Sequence, residues 1–107
     1  MPTIAEVFAN MSAKMIETPD RVAGINAVYQ FVITGDAGAE YYVNLKDGAK
    51  EVAQGSFAGA NCTVTMSTED FLAIIDGSLN AQMAFLQGKV KIAGDMGLAM
   101  KLGKILG

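Results

Sequence analysis

The side chains of this chain best suited to chemistry are Cys62, the adjacent acids Glu69 and Asp70, and the loop Gly94-Asp-Met-Gly97. A thiolate nucleophile needs a base beside it, but the chain contains no histidine. Cys62 also alternates with Val64 and Met66 on the apolar side of a strand pattern, where a thiol behaves as a small hydrophobe. Glu69 and Asp70 follow Ser67, which makes them the first turn of a helix in a capping-box-like arrangement, with both acids favouring the positive end of the helix dipole. No spacing of Asp and Glu resembles a metal loop. Glycine accounts for 12 of 107 residues, yet none of it forms a P-loop, and Gly94-Asp-Met-Gly97 lacks the pattern of a dinucleotide-binding turn. The expectation is a protein that is not an enzyme, with no catalytic residue, no metal and no cofactor.

Length and composition narrow the class further. A chain of 107 residues is expected to be one domain over 1–107, large enough for a small core. Half of it is apolar, but no uninterrupted apolar run reaches the eighteen or so residues that span a bilayer, and the N-terminus lacks the layout of a signal peptide. With a single cysteine, these features point to a reducing, cytoplasmic setting. The net charge of -3 argues against a nucleic-acid partner. Charge is also unevenly placed: residues 1–78 hold ten acids and four bases, whereas residues 79–107 hold Asp95 against Lys89, Lys91, Lys101 and Lys104. Such a basic segment suits an anionic amphipathic ligand or an anionic membrane surface, and equally a row of solvated lysines.

The elements that must position these residues follow from periodicity. Ile4, Val7, Phe8, Met11 and Met15 recur at helical spacing after Thr3, with Pro19 as a stop. The polar side of that helix carries Glu6, Asn10 and Lys14, not the cationic face that drives helices onto anionic membranes. Strand alternation runs over 25–34, then 40–46, with Asp47-Gly48 as a hairpin turn into a third strand over 49–54. A fourth strand runs from Cys62 to Met66, helices are expected over 68–76 and from Asn80 to Gly88, and a fifth strand over 89–93. About twenty helical residues bridge the last two strands, long enough for these to run parallel. The fold class is therefore α+β: a five-stranded mixed, mostly antiparallel sheet with helices covering one face.

The last quarter is apolar beyond what folding needs. In the helix expected after Asp95, Met96 and Met100 form one apolar stripe and Leu98, Leu102 and Ile105 another, where a surface helix needs only one. A second protein layer, an oligomer partner or a ligand with a long apolar body would cover the surplus. Gly97 lies inside this helix, where glycine costs about 1 kcal/mol against alanine; a close approach by backbone or ligand would account for it, and so equally would a poorly formed helix or simple neutrality. Seven methionines, among them Met66, Met83, Met96 and Met100, suit either a core or variable apolar contents.

The run from Gln82 to Leu102, together with Asn61-Cys-Thr-Val-Thr-Met-Ser-Thr-Glu-Asp-Phe-Leu72 and Tyr41-Tyr-Val-Asn-Leu-Lys-Asp-Gly48, resembles the sterol carrier protein type 2 domain, the non-specific lipid-transfer proteins. The resemblance implies an apolar tunnel between sheet and helices and intracellular binding and transfer of a lipid with a long apolar chain: a fatty acid, a fatty acyl-CoA, a sterol or a phospholipid. On that reading Phe31 and Val64 form the floor, Leu72, Ile75, Met83 and Phe85 the walls, and Met96 and Met100 the closing helix. Gln82, Gln87, Lys101 and Lys104 are candidates to meet a head group, although both glutamines are equally suited to capping neighbouring backbone. Transient membrane contact, and a lipid-metabolising enzyme to which a lipid intermediate is presented, are the partners implied. The family pattern is not matched throughout. The final Lys104-Ile-Leu-Gly107 is not the peroxisomal tripeptide, pointing to a bacterial cytoplasm; Tyr41 stands where many relatives have Trp, and Asn44 where they have Asp. A ligand-free structural dimer remains a third reading.

Overall fold

The computed structural model describes residues 3–35 and 38–101, apart from the Arg21 side chain. The first helix, α1, spans Ile4–Glu17, with the Thr3 hydroxyl accepting the Glu6 amide. Its buried residues are Ile4, Val7, Phe8, Met11 and Met15, the stripe read from the sequence. Pro19 then opens a 3-10 turn, Pro19–Val22.

Three antiparallel strands follow: β1 (Val28–Thr34), β2 (Ala39–Asn44) and β3 (Glu51–Gln54). The β2–β3 turn needs two successive left-handed residues, Asp47 at φ 55° and Gly48 at φ 81°, which is why Asp-Gly occupies it. Strands β4 (Cys62–Ser67) and β5 (Val90–Gly94) complete a sheet of order β3-β2-β1-β4-β5.

The parallel pair is β1–β4, and β4–β5 is antiparallel, contrary to the expectation from the long bridge between the last two strands. The bridge consists of two helices, α2 (Thr68–Asp76) and α3 (Ala81–Leu86), that run out and back. They return the chain to the end of β4 it left, so Met66 pairs with Val90. A crossover to a parallel strand would have to end at the opposite end of the sheet. Local signals set both helices: Ser67 accepts the Asp70 amide, Gly77 ends α2 at φ 88°, and Asn80 accepts the Gln82 and Met83 amides.

The crossover that makes β1–β4 parallel is the helix-free segment 55–61. It runs back over the sheet face opposite the helices, pinned by Gln30, which is 5% exposed. The Gln30 side chain donates to the carbonyls of Tyr41 and Gly55 at 3.1 and 3.0 Å and accepts the Phe57 amide at 2.7 Å. Tyr42 packs on Phe57 across the same face. Strand alternation assigns Gln30 to the outward side; the segment above it makes that side an interior.

On the helical face the core is strongly aromatic. Phe8 of α1 stacks on Tyr41 (4.2 Å, 8°) and on Phe71 (5.3 Å, 12°), and meets Phe31 edge-on (5.5 Å, 62°). Such pairs add about 0.5 to 1.5 kcal/mol each to their burial. A last short helix, α4 (Met96–Ala99), is capped by Asp95, whose carboxylate accepts the Gly97 and Leu98 amides. The rest of the helix expected to reach Leu106 lies outside the described residues beyond Lys101, with Leu102, Lys104 and Ile105. Among the described residues, no helix is long and apolar enough to cross a membrane.

Candidate functional site

The two helices after β4 leave apolar side chains in contact with solvent. On α3 Ala84 is the inward residue at 0% exposure, so Met83 (51%), Phe85 (39%) and Leu86 (76%) are left outside. On α4 Leu98 and Ala99 pack against the core, while Met96 (47%) and Met100 (69%) are exposed. Half-burial of Leu98 with exposure of Met96 and Met100 separates these three residues as the sequence reading does, while Leu102 and Ile105 of the second stripe lie outside the described residues. Apart from Ile16 on α1, the exposed large apolar residues among those described all fall between 83 and 100. A concentration of this kind marks an interaction surface more than an incidental surface residue does.

What anchors α4 is a buried hydroxyl. Tyr29, on β1 and 0% exposed, donates from its phenol to the Leu98 carbonyl at 2.6 Å. Burial, and then the neighbouring Cys62 and Asp95, push its pKa up to about 12. Cys62 is itself fully buried, and burial followed by the Asp95 carboxylate raises its pKa, so its neutral thiol is favoured. The close neighbour of Gly97 is the capping Asp95: a Cβ on Gly97 would lie 3.1 Å from that carboxylate oxygen. Among the described residues, no group of three or more His, Cys, Asp or Glu is placed to hold a metal.

The residues singled out in the sequence occupy three settings. Phe31 and Val64 are cross-strand partners on the helical face, both at 0% exposure. Leu72 and Ile75 are nearly one turn apart on α2, half-buried and packed on the core. Met83, Phe85, Met96 and Met100 are exposed. The side chains of Gln82, Gln87 and Lys101 are also exposed; the Gln82 backbone amide is taken by Asn80, and the Gln87 backbone amide by the Met83 carbonyl.

Among the described residues, a cleft lies at each end of α1. One, of about 450 Å³, lies beyond its C-terminal end against Val22, Ile25, Leu45 and Lys50. The other, of about 440 Å³, sits between the first turns of α1 and α2 and is lined by Thr3, Ile4, Tyr41, Gln54, Thr68 and Leu72 among others. Sequence reasoning reached only Leu72 as a lining residue here, because the cleft is assembled from segments of α1, β2, β3 and α2 that share no local pattern.

The fold and its apolar helices define a class: a helix-covered mixed sheet of the sterol-carrier type. Residues 8–107 match the SCP-2 sterol transfer family, and the chain belongs to that family. It is 41% identical over 100 residues to sterol carrier protein 2 of Homo sapiens, covering 90% of this chain and 18% of that protein. To hydroxysteroid dehydrogenase-like protein 2 of Xenopus tropicalis it is 39% identical over 89 residues, covering 82% and 21%. The chain thus spans about a fifth of the length of these relatives. Among solved structures, palmitated SCP2L2 from Aedes aegypti matches with a TM-score of 0.83 at 30% identity, covering 98% of this chain and 95% of that one.

Proposed function

We propose that the protein binds and transfers a lipid with a single long apolar chain, held between the helices and the sheet in a tunnel whose walls include Leu72, Ile75, Met83 and Phe85 and whose closing side includes Met96 and Met100. Phe31 and Val64 form the floor beneath. The observation that carries this reading is the exposed apolar surface of α3 and α4 in a member of the SCP-2 sterol transfer family. The palmitated Aedes aegypti neighbour supports a fatty acyl chain as the occupant. Each methylene removed from water contributes about 0.8 kcal/mol, so a tail of ten or more offsets the cost of association without any strong polar contact. The site is therefore permissive for chain length.

The test is titration of the delipidated protein with a fluorescent fatty acid, with a dissociation constant in the micromolar range or tighter expected. Absence of binding at saturating probe removes the proposal. A second reading, presentation of a lipid intermediate to an enzyme, is favoured by one observation: two relatives carry the matching segment within much longer chains, one of them named as dehydrogenase-like. Stable recovery of a lipid-metabolising enzyme in a pull-down would support it, and recovery of none favours a free carrier.

A further inference from the structure

Resting on the lipid-binding reading, we infer that the cleft between the first turns of α1 and α2 receives the oxygen-bearing end of an uncharged single-chain lipid, with the Tyr41 phenol as its principal donor and the tail laid along α2 toward α3 and α4. Tyr41 lines the cleft and is only 9% exposed. Its ring is fixed by stacking on Phe8 at 4.2 Å, yet among the described residues its hydroxyl makes no hydrogen bond. Among the described residues no buried side-chain polar atom lacks a partner, so this unbonded hydroxyl reaches accessible space while its ring is buried. The cleft is the space from which a partner can come.

The other lining groups define what that partner is. Gln54 brings a side-chain amide from β3, and the first turn of α1 contributes the backbone amides of Ile4 and Ala5, which have no acceptor inside the helix. Each of these groups can donate a hydrogen bond to an oxygen. Among the described residues no Lys or Arg lines the cleft, and the Thr3 hydroxyl in its lining donates to the Glu6 carboxylate at 3.2 Å. An alcohol or ester carbonyl fits this lining better than a carboxylate, whose charge would meet Glu6 without a cation. Leu72 lines the cleft and Ile75 continues along α2, both half-buried. The nine residues of α2 span roughly 13 Å, which leads a tail from the cleft toward the exposed apolar residues of α3. The glutamines Gln82 and Gln87 then lie at the tail end and not at the head.

The experiment uses dodecan-1-ol, 1-chlorododecane and dodecanoate as competitors of a bound pyrenyl-alkane, on wild type, Tyr41→Phe and Gln54→Leu, each checked by thermal melt. Tyr41→Phe keeps the ring stack and removes one donor. It is expected to weaken dodecan-1-ol by about three- to tenfold and to leave 1-chlorododecane unchanged; Gln54→Leu should shift in the same direction. Wild type should prefer dodecan-1-ol to dodecanoate at pH 7. Nuclear Overhauser contacts from the C1 protons of the alcohol should fall on Tyr41. Full affinity for dodecan-1-ol in folded Tyr41→Phe, with C1 contacts at Gln82 or Gln87, overturns this orientation while leaving the lipid-binding reading intact. A preference for dodecanoate overturns the uncharged head. Failure of every probe to bind wild type removes both readings.

Discussion

Single residues carry more of this structure than their types announce. Tyr29 was legible as an inward strand residue, but its hydroxyl partner, the Leu98 carbonyl 69 positions away, was not. Removing that bond in Tyr29→Phe should cost about 1 kcal/mol in urea unfolding at pH 7. Because the folded phenol titrates near 12 against an ordinary 10.0, it stabilises the fold fully below pH 10, and that contribution is lost as pH rises toward 12. A stability profile from pH 9 to 12 should decline in wild type and be shallower in Tyr29→Phe. Cys62 makes a complementary case, since its burial was read correctly from alternation with Val64 and Met66. Native protein should resist Ellman's reagent, and Cys62→Ser should lower stability by about 1 to 3 kcal/mol while leaving lipid affinity nearly unchanged. Gly94 adopts φ +103°, and a Cβ there would collide with the Asn61 carbonyl, which already accepts the Asp95 amide. Gly94→Ala is expected to cost about 2 kcal/mol or more, seen as a lowered melting temperature.

Among elements, those whose determinants are local in sequence were legible, and those fixed by distant partners were not. Thr3, Ser67, Asn80 and Asp95 each cap the helix that follows because cap and amide are two or three residues apart. One partner of β4, the strand β1, lies more than thirty residues upstream, and no local pattern shows that the parallel pair is β1–β4 and not β4–β5. The burial of Gln30 is illegible for the same reason: segment 55–61, which covers it, is distant in sequence. On α4 the two apolar stripes were visible, and the exposure of Met100 gives them a test. Since Met100 is 69% exposed, Met100→Trp should leave the melt within about 0.5 kcal/mol of wild type and lower lipid affinity several-fold. A folded variant with unchanged affinity would remove Met100 from the site.

For the whole molecule, the sheet order has a consequence in time. The meander β1–β2–β3 joins neighbours in sequence, whereas β4 reaches β1 only after the chain has doubled back through segment 55–61. Pairing across such a separation forms late because loop closure precedes the contacts that reward it. Until it does, β1 presents Val28-Tyr-Gln-Phe-Val-Ile-Thr34, an uncharged run rich in β-branched and aromatic residues, as an open edge. Pulsed hydrogen exchange should therefore protect the amides shared by β1 and β2 before those shared by β1 and β4. Simultaneous protection would contradict this order. The segment that is central and sealed in the finished protein is, during assembly, the one most able to recruit a second chain, so refolding yield should fall as protein concentration rises.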